Sequence, residues 1–200
     1  MQFTFRLGKF NCMTAAQAHH AGARTDIKEF PEGFELDTPR VEDGAAIWRI
    51  ACDSKTLDLN SSYSYLLWCR DFAATSAVAR NAAGEPAAFV TGYVRPDRPD
   101  TLVVWQIAVD EAHRGRGLAA ALLDGLTTRA IEELGICRVE TTITPDNDAS
   151  NRLFASFAER HSVPVTHEVL FDAALFPEQG HEPEVRHLIG PFEVPSGSSR

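Results

Sequence analysis

The chain has 200 residues, which suits one domain of ordinary size with some length to spare. Hydrophobic residues make up 44% and charged residues 24%, the balance of a globular protein able to bury a sizeable core. A net charge of −9 excludes the basic surface that phosphate binding by a nucleic-acid partner needs, and no apolar run approaches the roughly 20 residues of a membrane span.

Residues 1 to about 42 mix Gly, Pro, Thr and charges without a sustained period, and they are expected to be a poorly ordered N-terminal extension. They lack the apolar stretch expected of a secretory leader, and Met13 is a candidate for the true start. Ile47–Cys52 predicts a short apolar strand or a helix start. Asp58-Leu59-Asn60-Ser61-Ser62 predicts a turn that caps a helix over Tyr63–Phe72. Ser76–Arg80 and Ala87–Val94 predict a β-hairpin about Asn81–Glu85. Arg95–Asp100 holds two prolines and predicts a loop. Leu102–Val109 is nearly unbroken apolar sequence, as in a central strand buried on both faces.

Leu118, Leu122, Leu126, Ala130 and Leu134 recur every four residues and predict a helix that Gly135 ends. Ile136–Thr144 alternates as a strand with two unlike faces, broken by Pro145-Asp146-Asn147. A helix over Ala149–Arg160, a strand over Val165–Phe171 and a last short strand over Val185–Ile189 complete the domain, set at residues 43–192. Residues 193–200 are expected to be a disordered tail. Leu102–Thr144 has the strand–helix–strand form of a parallel crossover, so the class is α/β with a mixed sheet. The cysteines Cys12, Cys52, Cys69 and Cys137 form no Cys-x-x-Cys pair. They predict free or buried thiols in a reducing cytoplasm, and no metal site.

Arg114-Gly115-Arg116-Gly117-Leu118-Ala119 lies between the buried strand and the amphipathic helix. Glycines there allow a tight turn and close approach of backbone amides to a ligand, and a helix N-terminus favours an anion such as pyrophosphate. The third glycine of a dinucleotide fingerprint is replaced by Ala120, and the Gly-Lys-Ser/Thr of a P-loop is absent.

The run from Val109 to Leu123 resembles the acetyl-CoA motif of the GCN5-related N-acetyltransferase (GNAT) superfamily. That motif is Arg/Gln-x-x-Gly-x-Gly/Ala, met here by Arg114, Gly117 and Ala119. Asn147, Ser150 and Leu153-Phe154 resemble a second motif of the same superfamily. The resemblance implies the GNAT fold: a mixed, mostly antiparallel sheet with a central parallel strand pair and flanking helices. It implies acetyl-CoA as cosubstrate, its pyrophosphate on the Arg114–Ala119 loop. The pantetheine arm would lie along Ile107, Ala108 and Val109, with Asn147, Ser150 and Phe154 on its other side.

Asp58–Leu67, Phe89–Tyr93, Val104–Val109, Glu140–Asn147 and Gly190-Pro191-Phe192 further resemble the diaminobutyrate acetyltransferases of ectoine biosynthesis, over roughly residues 45 to 192. That family acetylates the γ-amine of L-2,4-diaminobutyrate, and its members suggest a homodimer. Such an acceptor needs acids for two ammoniums and donors for one carboxylate. Asp58 and Glu140 are candidate acids; Asn60, Ser61 and Tyr63 are candidate donors; Trp105 offers an aromatic wall, and Thr142 joins the substrate-binding set two residues from Glu140 on the same strand face.

Competing readings stand beside these. Asp58 and Ser61 also suit a helix cap, Trp105 also suits the core, and His181 suits either the site or a solvated loop. Glu140 is the candidate base and the Val109 amide the candidate oxyanion donor. Phe154 stands where many superfamily members carry a tyrosine acid, so Tyr63 or solvent would replace it, or the thiolate would leave unprotonated. Cys137 as an acyl carrier is a weaker competitor. An acetyltransferase for another small diamino acid or polyamine, or an inactive acetyl-CoA-binding module, are the alternative functions.

Overall fold

The structure is a computed structural model that describes residues 30–177 and 180–193. Seven strands form one sheet: β1 (Phe34–Asp37), β2 (Ala77–Asn81), β3 (Pro86–Arg95), β4 (Arg98–Val109), β5 (Arg138–Ile143), β6 (Val165–Phe171) and β7 (Glu184–Ile189). Their order is β1-β2-β3-β4-β5-β7-β6. Every neighbouring pair is antiparallel except β4 and β5, which run parallel, as the crossover required. The helices are α1 (Gly44–Ser54), α2 (Ser62–Asp71), α3 (Leu118–Leu134) and α4 (Asp148–Arg160).

Two apolar clusters on opposite faces of the sheet hold the layers together. Ala77, Ala79, Ala88, Val90, Leu102, Val104 and Val139 pack on Leu118, Leu122 and Leu126 of α3 and Phe154 and Phe157 of α4. The alternate residues Val78 and Phe89, with Ala108, pack on Ile47 and Ile50 of α1 and Tyr65 and Cys69 of α2. This is the period-2 division of a strand between two covered faces.

Two expectations change. The extension drawn over residues 1–42 is ordered at its end. Phe34–Asp37 pairs with Val78–Asn81, and Thr38 beyond it accepts from Arg129 of α3 at 3.0 Å. Four residues are too few to show a period, so sequence pattern alone did not mark them. Residues 1–29, including Cys12 and the alternative start, lie outside the described residues, as does 194–200 of the expected tail.

The loop drawn over Arg95–Asp100 is instead a tight hairpin, with Arg95 opposite Arg98. The register slips between Val94 and Arg95, so Pro99 falls in a bulge where no ladder N–H is needed.

Candidate active site

The site begins with a defect in β4. Its parallel pairing with β5 covers only Thr101–Val103 against Arg138–Glu140, after which the strands part. The Asp110 N–H donates to Ala87 O at 2.8 Å, which fixes the phase of the β3–β4 ladder. Bonded and non-bonded pairs alternate along antiparallel strands. Val109 and Ile107 therefore turn their N–H and C=O away from β3, into the gap left by β5. Ala108 turns its own backbone toward Phe89 and buries its methyl under α1 and α2. Of the three residues expected along a pantetheine arm, two offer free backbone and Ala108 does not.

A second irregularity aims Trp105. Thr91 pairs with Gln106 and Gly92 with Val104, which leaves Trp105 as the extra residue of a bulge. A Cβ on Gly92 would sit 2.6 Å from the Val103 carbonyl oxygen, so only glycine fits opposite it. Trp105 is 53% exposed and stacks on Trp68 of α2, with ring centroids 6.4 Å apart. It lines the cleft and is not buried in the core.

A cleft of about 350 Å³ opens where β4 and β5 part. Of the expected acceptor residues, Asp58, Asn60, Trp105, Thr142 and His181 line it, as does Asn147. So do Gln106, Asp146, Glu182 and Glu184, which sequence reasoning did not single out. Gln106 looked like one more member of a buried strand. Its amide instead ties the wall together: Nε2 donates to the Asp58 carbonyl at 2.8 Å, and Oε1 accepts from the Tyr65 hydroxyl at 3.0 Å. His181 stands on the loop before β7, its ring stacked on Phe176 at 3.7 Å. Its Nδ1 lies 2.6 Å from the Glu182 carbonyl oxygen. A carbonyl only accepts, so Nδ1 carries the hydrogen, and in the neutral ring the lone pair is on Nε2.

Other expected residues lie elsewhere. Glu140 is 5% exposed and off the cleft wall; both its oxygens accept from Arg95 Nη1 at 3.0 Å, and Arg186 is 3.9 Å away. A buried carboxylate needs a partner, and the partner is an arginine rather than a substrate ammonium. Ser61 is the N-cap of α2, accepting from the Ser64 N–H at 3.4 Å. Tyr63 is 65% exposed in the first turn of α2 and outside the cleft wall. Phe154 is 2% exposed within the main core, so its ring is a packing element. Cys137 is buried at the start of β5, whereas the cleft opens at the end of that strand, which removes it as an acyl carrier.

The Arg114–Ala119 loop follows β4 after Asp110 and a single 3-10 turn over Glu111–His113. Gly115 and Gly117 have φ of +76° and +77°, a backbone that L side chains rarely adopt, and Gly117 is the N-cap of α3. No side chain caps that helix, so its first-turn amides remain available for an anion. Arg114 and Arg116 are exposed beside them, while the Leu118 side chain is core and only its amide can serve. On the facing helix Asn147 caps α4, its Oδ1 accepting from the Ser150 N–H at 3.1 Å. Asn151 Nδ2 ties the preceding loop through Thr144 O and Asn147 O. Amides at one end of the gap and free β4 backbone along it fit a long phosphorylated thioester. Among the described residues no group of His, Cys, Asp and Glu could hold a metal ion. No helix among them is long and apolar enough to cross a membrane.

Comparison with known proteins agrees with that geometry. The family model described as the acetyltransferase (GNAT) family matches residues 44–158. The chain belongs to the GNAT acetyltransferase family. Within this family it is 68% identical to an L-2,4-diaminobutyric acid acetyltransferase of Streptomyces anulatus, over 90% of this chain and 99% of the relative. It is 62% identical to the protein of that name in Streptomyces avermitilis, with the same coverage. A solved diaminobutyrate acetyltransferase from Paenibacillus lautus, in complex with its substrate L-2,4-diaminobutyric acid and coenzyme A, is 38% identical. It superposes with a TM-score of 0.74 over 82% of this chain and 98% of its own.

Proposed function

We propose that this GNAT enzyme transfers the acetyl group of acetyl-CoA to the γ-amine of L-2,4-diaminobutyrate. The product is N4-acetyl-L-2,4-diaminobutyrate, and the step belongs to ectoine synthesis. The observation that carries the reading is the charge of the cleft. Asp58, Asp146, Glu182 and Glu184 line it, and no Lys or Arg among the described residues does. Such a wall suits an acceptor with two ammoniums, and Asn60 and Thr142 supply donors for its one carboxylate. The relatives' names support the same acceptor. A cytoplasmic enzyme of the osmotic-stress response follows from that pathway. A homodimer is supported by β6, an edge strand whose neighbourhood leaves Val169, Phe171 and Leu175 exposed.

Chemistry follows from the groups at hand. An alkyl ammonium titrates near 10, so it must lose a proton before it attacks. His181 Nε2 is the cleft-wall nitrogen placed to accept that proton. The amine nitrogen then bonds to the thioester carbon while the Val109 N–H stabilises the oxyanion. The C–S bond breaks, and the second proton on nitrogen goes by solvent to the departing thiolate. A thiol titrates near 8.5, so the thiolate is a competent leaving group without the missing tyrosine acid.

The test is thiol release from acetyl-CoA with diaminobutyrate, diaminopropionate, ornithine and lysine, and NMR of the product. Diaminobutyrate is expected to give the highest kcat/KM, with acetylation at N4. A tenfold preference for another acceptor would replace the substrate; release with none would leave an inactive binding module.

Gln106 offers a finer check. Gln106→Leu leaves the Tyr65 hydroxyl and the Asp58 carbonyl unpaired, at about 1–2 kcal/mol. The KM for diaminobutyrate should rise roughly 5- to 30-fold while that for acetyl-CoA holds. Equal rises in both would mean that Gln106 supports the fold and not the acceptor wall.

A further inference from the structure

The segment before α1 has no part in the function described so far, yet it touches the acetyl-CoA loop. Residues 114–117 are exposed, and nothing lies within 4 Å of where a Cβ on Gly115 or Gly117 would be. Two glycines with positive φ give such a loop many unfolded and alternative conformations to lose on binding. One ring limits that freedom. Phe34 of β1 packs edge-on against His113 at 5.3 Å between centroids, and the Arg116 guanidinium carbon lies 5.6 Å from the same ring's centroid. Phe34 thus holds the residue before Arg114 and the residue after Gly115. The ring is itself fixed: it is 9% exposed, belongs to the main core and pairs in register with Asn81. Leu36, two residues on, lies over Gly125 of α3, where a Cβ would meet its Cδ2 at 2.6 Å. The strand is therefore seated against the helix whose N-terminus closes the loop.

We infer that Phe34 is a positioning residue for acetyl-CoA: the N-terminal strand pre-forms the pyrophosphate loop by clamping His113 and Arg116 on one aromatic ring. This rests on the reading of that loop as the acetyl-CoA site. It assigns the segment before α1 a role in cosubstrate affinity and none in acceptor choice.

The test uses the full chain and coenzyme A as the probe, with Kd by calorimetry, both KM values and the thermal midpoint. Phe34→Leu keeps an apolar side chain and removes the π face. It should raise the Kd for coenzyme A and the KM for acetyl-CoA about 2- to 5-fold, the scale of an exposed cation–π contact. The KM for diaminobutyrate should stay within twofold, and Phe34→Tyr should restore coenzyme A affinity. An unchanged Kd in Phe34→Leu, or equal rises in both KM values with a lowered midpoint, overturns the inference. Gly117→Val separates this from failure of the loop reading. If that variant still binds coenzyme A normally, the loop is not the site and both ideas fall. If it loses binding while Phe34→Leu does not, only the clamp falls.

Discussion

Replacing His181 with alanine is expected to lower kcat for diaminobutyrate by roughly 10²-fold or more, the usual contribution of a positioned general base. The reason is geometric. The Glu182 carbonyl takes the Nδ1 hydrogen at 2.6 Å, so the free lone pair is on Nε2, and the ring is held flat against Phe176. Added imidazole should recover part of the rate of His181→Ala. His181→Ala with kcat within twofold of wild type would remove His181 from the mechanism. Glu140→Gln is the contrasting variant. Its two oxygens are taken by Arg95, so losing the charge should change stability more than kcat. A kcat that falls about 10²-fold in Glu140→Gln and holds in His181→Ala would return the base to Glu140.

The elements and the cosubstrate loop were more legible in the sequence than the acceptor wall, for a physical reason. A helix announces itself by a period over many residues, and α3 spans Leu118–Leu134 as its leucine spacing predicts. The loop before it has a local composition that few other structures need. The acceptor wall has neither property. Asp58, Trp105, Thr142 and His181 come from four separate segments and meet only because β4 leaves β5 and the loop before β7 folds back over the gap. Acids such as Asp146 and Glu184 look like ordinary surface charge until the topology gathers them. Glu140 shows the opposite error. Its place on a central strand correctly implied a buried charge in need of a partner, but Arg95 lies 45 residues earlier and the pairing is invisible in the sequence. The bulge at Trp105 was also hidden, because alternation through Val104, Trp105 and Gln106 does not show which residue is extra.

Asp43→Ala is expected to destabilise the fold by about 3–5 kcal/mol, because it leaves the buried Arg80 guanidinium without its bidentate partner. Arg80 Nη1 and Nη2 donate to the two oxygens of Asp43 at 2.9 and 2.8 Å, and Nε donates to Asp37 Oδ2 at 2.6 Å. The side chains of Arg80 and Asp43 are each 9% exposed, so water cannot replace the lost contacts cheaply. Burial by itself raises the pKa of Asp43. The hydrogen bonds from Arg80 and from the Arg40 N–H, with the guanidinium charge, outweigh it and hold the carboxyl below its ordinary value. Asp37 is lowered as well, chiefly by its hydrogen bond from Arg80.

A carboxylate with a depressed folded pKa adds stability above its unfolded value, near 3.9, and loses it as pH falls through the folded value. Wild-type unfolding free energy should therefore fall as pH drops below about 4. The Asp43→Ala protein should start lower and fall less steeply over that window. Denaturant unfolding at pH 7 and at several values below 4 reads both quantities. A loss under 1 kcal/mol at pH 7, or a pH slope equal to wild type, would show that the Arg80 cluster is dispensable. The same variant bears on cosubstrate binding. Asp37 and Phe34 share strand β1, and Asp43 enters α1, so this cluster fastens the strand that carries the aromatic clamp. Loosening of this cluster in the Asp43→Ala protein should then weaken coenzyme A binding before the acceptor cleft is affected, since Phe34 reaches the former and not the latter.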